Sequence, residues 1–279
     1  MEVRAIRAYV TIESDDVFTY FTGSLVKTVV YSLAREVRLF HGVRGILSPI
    51  HVSPLFKLGR GDYELGDLYT PVIVKTRDGE KLIPVNFTGE EFIIHIGGEA
   101  GLVGHIGEQL ERLRTPLSIK FRDSIVTVKL VAERDVTNEI FSKRLGGSKV
   151  TVYFKGPVKP FNVLSPSRLP KFCPSAYEVL MAGYMFYKNI YTLDYRYVMD
   201  SMKLLGLLVE TYYTLNTVKP ILVPFKGKEP AMIGKATYII DTENPDKKEQ
   251  IEKILNTSEI TGVGESRQNG FGTVSWTRK

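Results

Sequence analysis

Cysteine is nearly missing from this sequence. Cys173 stands alone among 279 residues, so no internal disulfide can form. That excludes a disulfide-stapled secreted scaffold and fits a reducing, cytoplasmic interior. Histidine is scarce too: His41, His51, His95 and His105 are the full set. None stands in an H-E-x-x-H pattern or at zinc-finger spacing from a cysteine, so no metal site and no other cofactor is expected. No apolar run reaches the roughly 18 residues that a membrane span needs, so a membrane is not an expected partner. The opening residues, from Val3 to Val10, alternate like a strand and do not form a signal peptide.

What is present is an ordinary globular mixture with a basic bias. The net charge is +6, which favours anionic partners, nucleic acid before acidic membranes. The chain is long enough for two compact domains.

Periodicity gives the organisation. Residues 3–12 read as a strand. After Phe18-Thr19-Tyr20-Phe21-Thr22-Gly23-Ser24, where Thr22 or Ser24 is placed to cap, Leu25, Val29, Leu33 and Val37 recur every four residues. This predicts a helix of about 16 residues ending near His41-Gly42, with Lys27, Arg35 and Arg38 projecting from it. Strands are predicted at 50–56, 69–76, 81–87 and 91–96, with Asp78-Gly79 as a hairpin turn, then a helix over 102–114 and strands at 116–121 and 125–133. Residues 138–148, with Gly146-Gly147, read as a linker. The pattern then restarts with a strand at 150–154, helices at 175–190 and 194–214, and paired strands at 221–225 and 235–240. Between the paired strands lies a basic hairpin tip, Lys226-Gly227-Lys228-Glu229-Pro230. A short helix from Asp246 to Leu255, capped at Asn244 or Asp246, leads to a final strand from Thr273. The fold class is α+β: two similar halves, 1–140 and 149–279, each an antiparallel sheet with helices on one face.

Before the final strand stands Gly262-Val263-Gly264, then Glu265 to Asn269, then Gly270-Phe271-Gly272. Neither triplet opens a G-x-G-x-x-G register, and no Gly-Lys-Ser/Thr follows. Two readings of the residues stand: a tight turn, or a loop whose backbone N–H groups cradle phosphates.

This motif, at this place in a basic two-half α+β chain, resembles the signature of the RAMP superfamily of CRISPR-associated proteins. Within it the chain most resembles the repeat-processing endoribonucleases, the Cas six group. The likeness extends to Phe-Thr-Gly-Ser-Leu opening the first helix. It implies two tandem ferredoxin-like (RRM-like) domains across almost the whole chain. It implies metal-independent cleavage within CRISPR repeat RNA, the precursor of guide RNA. A ribose 2′-hydroxyl would attack the adjacent phosphate, leaving a 2′,3′-cyclic phosphate and a 5′-hydroxyl. Such chemistry needs a base, an acid and cations for the phosphorane charge.

In many members of the group a histidine near the end of the first helical segment moves the proton. Leu39-Phe40-His41-Gly42-Val43-Arg44-Gly45 matches that neighbourhood, so His41 is the candidate, with helix capping as its structural alternative. Lys27 and Tyr31, four residues apart on one helix face, are its assistants, and Arg44 follows closely. His51, with Lys57 six residues on, is the second candidate; its alternative is an ordinary strand residue. In this reading Gly262, Gly264, Gly270 and Gly272 offer N–H groups to the RNA backbone, together with Arg267. Lys226 and Lys228 at the hairpin tip, and Lys235 at its base, grip phosphates. The competing functions are a non-catalytic RAMP subunit that holds guide RNA among the other subunits of a CRISPR effector complex, and an unrelated binding module. A homodimer would use Tyr184, Tyr187 and Tyr191 if these are exposed on their helix.

Overall fold

The computed structural model describes residues 2–35, 47–61, 63–161, 174–192, 194–212 and 214–278. Its first half runs β1 (Val3–Ser14), α1 (Thr22–Leu33), β2 (Ile50–Val52), β3 (Leu55–Leu58), β4 (Leu65–Tyr69), β5 (Val72–Thr76), β6 (Gly79–Ile83), β7 (Thr88–Glu99), α2 (Ala100–Leu110), β8 (Leu117–Phe121), β9 (Ser124–Asp135) and α3 (Thr137–Phe141). The second runs β10 (Lys149–Val158), α4 (Ala176–Val179), α5 (Met181–Tyr187), α6 (Tyr195–Leu205), β11 (Leu208–Glu210), α7 (Thr214–Thr217), β12 (Val218–Val223), β13 (Glu229–Ile240), α8 (Pro245–Thr261) and β14 (Val274–Arg278).

Among the described residues these strands form two seven-stranded antiparallel sheets. In the first, β9, β1, β7 and the β2–β3 stretch lie side by side in ferredoxin-like order, with β8 and β4 as added edges. In the second, β14, β10, β13 and β12 repeat that order. The period-two alternation builds both cores. Ile6, Ala8, Val10 and Ile12 point to one face of β1 and pack with Phe92, Ile94 and Ile96 of β7 under α1 and α2. Val150, Val152 and Phe154 of β10 do the same with Ala236 and Tyr238 of β13 under α4, α5, α6 and α8. The fold is thus α+β with two ferredoxin-like units.

Several element boundaries differ from the sequence expectation. The predicted strand over 50–56 is split by Ser53-Pro54, as expected where proline withholds an N–H from the ladder. The Asp78-Gly79 turn does close a hairpin, with Gly79 at φ +119°. That hairpin, β5–β6, joins the second sheet through Ile73 opposite Leu222, although it comes from the first half of the chain. The predicted helix over 194–214 ends at Leu205, and β11 follows it to pair with β13. Helix α1 ends at Leu33, where Ala34 leaves helical geometry; neither Thr22 nor Ser24 caps it. Thr22 instead donates its hydroxyl to the Tyr69 carbonyl and accepts from the Leu55 N–H, fastening the helix start to the first sheet.

The largest departure is α8. Asn244 caps it as expected, accepting from the N–H groups of Asp246 and Lys247, and Pro245 opens it. It then continues past Leu255 to Thr261 and halts only at Gly262, φ +73°. Its last turn presses on the first sheet. The His95 Nε2–H donates to the Ile260 carbonyl at 2.9 Å, and Glu259 is fixed between Lys143 (2.6 Å) and Arg7 of β1 (3.7 Å). The stretch predicted as a linker is accordingly docked: Leu145 donates its N–H to Glu252 of α8 at 2.6 Å.

Candidate functional site

Three elements converge at the junction of the two halves: the start of α1, the glycine loop after α8, and the hairpin tip between β12 and β13. Aromatic packing holds them. The Phe21, Phe225 and Phe271 rings, one from each element, lie with centroids 4.8 to 6.3 Å apart. The Phe21 N–H donates to the Pro224 carbonyl at 3.1 Å, tying the helix start to the hairpin tip. The backbones of Gly23 in α1 and Gly270 in the loop touch: a Cβ on Gly270 would fall 2.3 Å from the Gly23 Cα. Only glycine on both sides permits this approach, and Gly270 sits at φ +93°.

Lys27 brings a half-buried charge into this junction. One turn beyond Gly23, it reaches across and donates to Asn269 Oδ1 at 2.6 Å. Its ammonium lies 5.3 Å from the centroid of the Tyr31 ring, so the expected shared face of Lys27 and Tyr31 is present. Burial pulls the Lys27 pKa down to about 8, and the nearby Lys226 ammonium adds to the effect. Lys226 stands on the exposed tip in left-handed conformation, φ +49°, its ammonium 5.6 Å from the Phe225 centroid. Lys159 also approaches, 5.7 Å from the centroid of Phe271, while paired with Glu229. A half-buried amine near neutrality beside a second cation can donate a proton or face a developing anionic charge.

Other predicted residues are placed differently. The glycine loop does not offer its amides to solvent. The Gly264 N–H donates to the Val179 carbonyl (3.2 Å), Gly270 to Arg267 (3.3 Å) and Gly272 to Pro157 (2.7 Å). Gly262 is packed against the His51 ring. The loop therefore acts as a close-packed joint, and its apex, Glu265 to Asn269, provides the accessible groups apart from the buried Arg267. Arg267 is turned inward: at 3% exposure it donates to the Thr261 and Ser48 carbonyls, both at 2.6 Å. Burial pulls its pKa down to about 9.

His51 is completely buried. Its Nδ1–H donates to the Arg267 carbonyl at 3.1 Å, and its Nε2 accepts from the Thr273 hydroxyl at 3.2 Å. Burial, then the neighbouring His95 and Arg267, push its pKa well below the usual imidazole range. It is a neutral strut under the loop, shielded from solvent among the described residues. His41 and Arg44 lie outside the described residues, in the segment 36–46 that follows α1.

Lys57 is exposed, 5.2 Å from the Tyr69 ring centroid and 3.9 Å from the Glu90 carboxylate. Lys228 is bound to Glu80 of the β5–β6 hairpin, so it braces the tip. Lys235 does not stand at the hairpin base. β13 begins at Glu229, which puts Lys235 roughly 20 Å further along at strand rise. Tyr184, expected on an exposed face, is in the core at 2% exposure, whereas Tyr191 is exposed. Asn269, the partner of Lys27, had no role in the sequence reading; its place just before Gly270 in the motif was the only signal available.

No protein-family model matches the chain, and no curated protein matches it in sequence. Solved structures do match, over nearly its whole length. A Thermus thermophilus Cas6 in a product complex superposes with a TM-score of 0.64 at 13% identity, covering 99% of this chain and 100% of that one. A second Cas6 product complex gives 0.65 at 12% identity with the same coverage. A Cas6-related protein of Pyrococcus furiosus gives 0.54 at 12% identity, covering 98% of each chain. A RAMP protein described as binding different RNA substrates gives 0.55 at 12% identity, covering 98% of this chain and 99% of that one. The chain has the fold of these structures. Among the described residues no helix is long and apolar enough to cross a membrane.

Proposed function

We propose that this chain binds CRISPR repeat RNA and cuts it, without a metal ion, as a Cas6-type endoribonuclease. The observation that carries this is Lys27: a helix-borne amine near pKa 8, held against the glycine-loop Asn269 beside the cationic hairpin tip. The nearly full-length fold likeness to Cas6 product complexes supports the substrate.

In this reading the scissile phosphate lies over the junction of α1, the loop apex and the tip. The 2′-hydroxyl attacks the adjacent phosphorus, the P–O5′ bond breaks, and the leaving oxygen takes a proton. His41, in the segment directly after α1, moves the proton, and Arg44 adds charge. The Lys27 ammonium faces the phosphorane oxygens, steadied by Asn269 and underlain by Tyr31. Lys226 and Lys57 hold flanking phosphates. His51, Arg267 and the glycines act earlier, by fixing the joint on which the site is built.

The test is incubation of the purified chain with the repeat RNA of its source genome in excess chelator. The expected product is one specific cut ending in a 2′,3′-cyclic phosphate. His41→Ala is expected to bind RNA normally and not cut, and Lys27→Ala to cut about 10²-fold more slowly. Tight binding with no cutting by the unaltered chain would replace this reading with that of a subunit holding guide RNA. No RNA affinity at low salt would remove both.

A further inference from the structure

A separate groove of about 370 Å³ opens on the helical side of the second half, between α5, α6 and α8. Tyr184 and Lys188 come from α5 and its C-terminal cap, Tyr197, Asp200 and Lys203 from α6, and Lys247 from α8. The spacings, four residues on α5 and three on α6, set each group on one helix face. None of these residues belongs to the junction that carries Lys27.

The charge balance of the groove is positive, three ammonium groups to one carboxylate. The Lys203–Asp200 pair, at 3.7 Å with side chains 75% and 62% exposed, is too solvated to hold Lys203 firmly. Tyr184 forms part of the floor at 2% exposure, while Tyr197 presents 42% of its surface at the rim. Burial, the Asp200 charge and the neighbouring Tyr187 and Tyr197 hold the Tyr184 hydroxyl above its usual pKa, so it remains a proton-bearing donor at neutral pH. The volume lies within the range of small-ligand pockets, about 300–1,000 Å³.

From the lysines, the open tyrosine face and the buried hydroxyl meeting in one groove, we propose that it binds a nucleoside phosphate unit. The phosphate is met by Lys188, Lys203 and Lys247, and the base stacks on Tyr197. Ammonium groups supply sequence-independent phosphate attraction, and an aromatic face accepts any base. The unit can come from single-stranded RNA or from a free nucleotide, and the experiment separates these sources.

The full chain is titrated with a single-stranded oligouridylate and, separately, with 5′-AMP, and 4-thiouridine oligomers are photo-crosslinked to it. Tyr197→Ala and the double variant Lys203→Glu/Lys247→Glu are compared with the unaltered chain. All three positions are exposed, and an unchanged urea unfolding midpoint reports that the fold is kept. Crosslinks at the groove, with about tenfold weaker oligomer binding in both variants, are expected if the source is a strand. Saturable 5′-AMP binding lost in both variants is expected if the source is a free nucleotide. Unchanged affinity of both variants for both ligands, or crosslinks confined to the α1 junction, would overturn the proposal. Failure of repeat cleavage in the unaltered chain would remove the nuclease reading and leave these binding outcomes standing.

Discussion

Lys27 is held near neutrality from two directions. Its stem is half-buried against Tyr31, and Lys226 brings a like charge from the hairpin tip. An ammonium whose pKa falls from 10.5 to about 8 is charged below that value and neutral above it. If the cation serves the phosphorane, single-turnover cleavage falls as pH rises through about 8. Replacing Lys226 with alanine removes the like charge, raises the Lys27 pKa and moves the falling limb to higher pH. Lys27→Arg keeps the cation and abolishes the limb. A profile that is flat through pH 8 in the unaltered chain would remove Lys27 from the chemistry. The sequence exposed Lys27 and Tyr31 as helix neighbours, because a four-residue spacing is a local fact. It did not expose Asn269, which is 242 residues away along the chain. Nor did it expose that Arg267 and His51 point inward, since a polar residue in a motif carries no local sign of burial.

The glycine loop shows the same division for an element. Its spacing was legible; its job was not. At Gly270 an added Cβ would fall 2.3 Å from backbone, in left-handed conformation, with the helix start on the other side. Gly270→Ala is therefore expected to lose roughly 3 kcal/mol or more and to cripple cleavage. At the hairpin tip Gly227 also has positive φ, but nothing lies within 4 Å of its Cβ direction. Gly227→Ala is expected to cost only about 1–2 kcal/mol of backbone strain. Urea unfolding of the two variants decides the matter, and equal losses would mean that close packing is not the role of Gly270. The sequence pattern ends helix α8 at Leu255 for a related reason: Asn256, Thr257, Ser258 and Glu259 look like loop residues. In the fold all four are buried. Asn256 accepts from the Trp276 indole N–H at 3.0 Å, and Ser258 packs where Gly183 of α5 leaves room. For Asn256 and Glu259, tertiary partners satisfy polar groups that sequence pattern assigns to solvent.

At the scale of the whole molecule, Glu259 is one of the groups that join the two halves. This carboxylate, 2% exposed, takes the Lys143 ammonium at 2.6 and 2.7 Å, the Trp276 N–H at 3.2 Å and the Arg7 guanidinium at 3.7 Å. Those partners come from the stretch between the halves, the last strand and the first strand. Removing one member of such a buried set leaves the others uncompensated. Glu259→Gln is expected to cost about 3–5 kcal/mol, read as a lowered urea midpoint. A loss below about 1 kcal/mol would show that Glu259 holds the halves no more strongly than an exposed ion pair does. By itself the sequence determined the α+β class, the two repeated halves, most strands, the Asn244 cap and the spacing of the glycine loop. All of these rest on periods of two and 3.6 and on turn and cap residues, which act within a few positions of the chain. Only the tertiary structure decided that the β5–β6 hairpin belongs to the second sheet, that the loop amides face carbonyls, and that Lys27 meets Asn269. Those outcomes depend largely on which surfaces pack together from distant parts of the chain, and no local pattern records that.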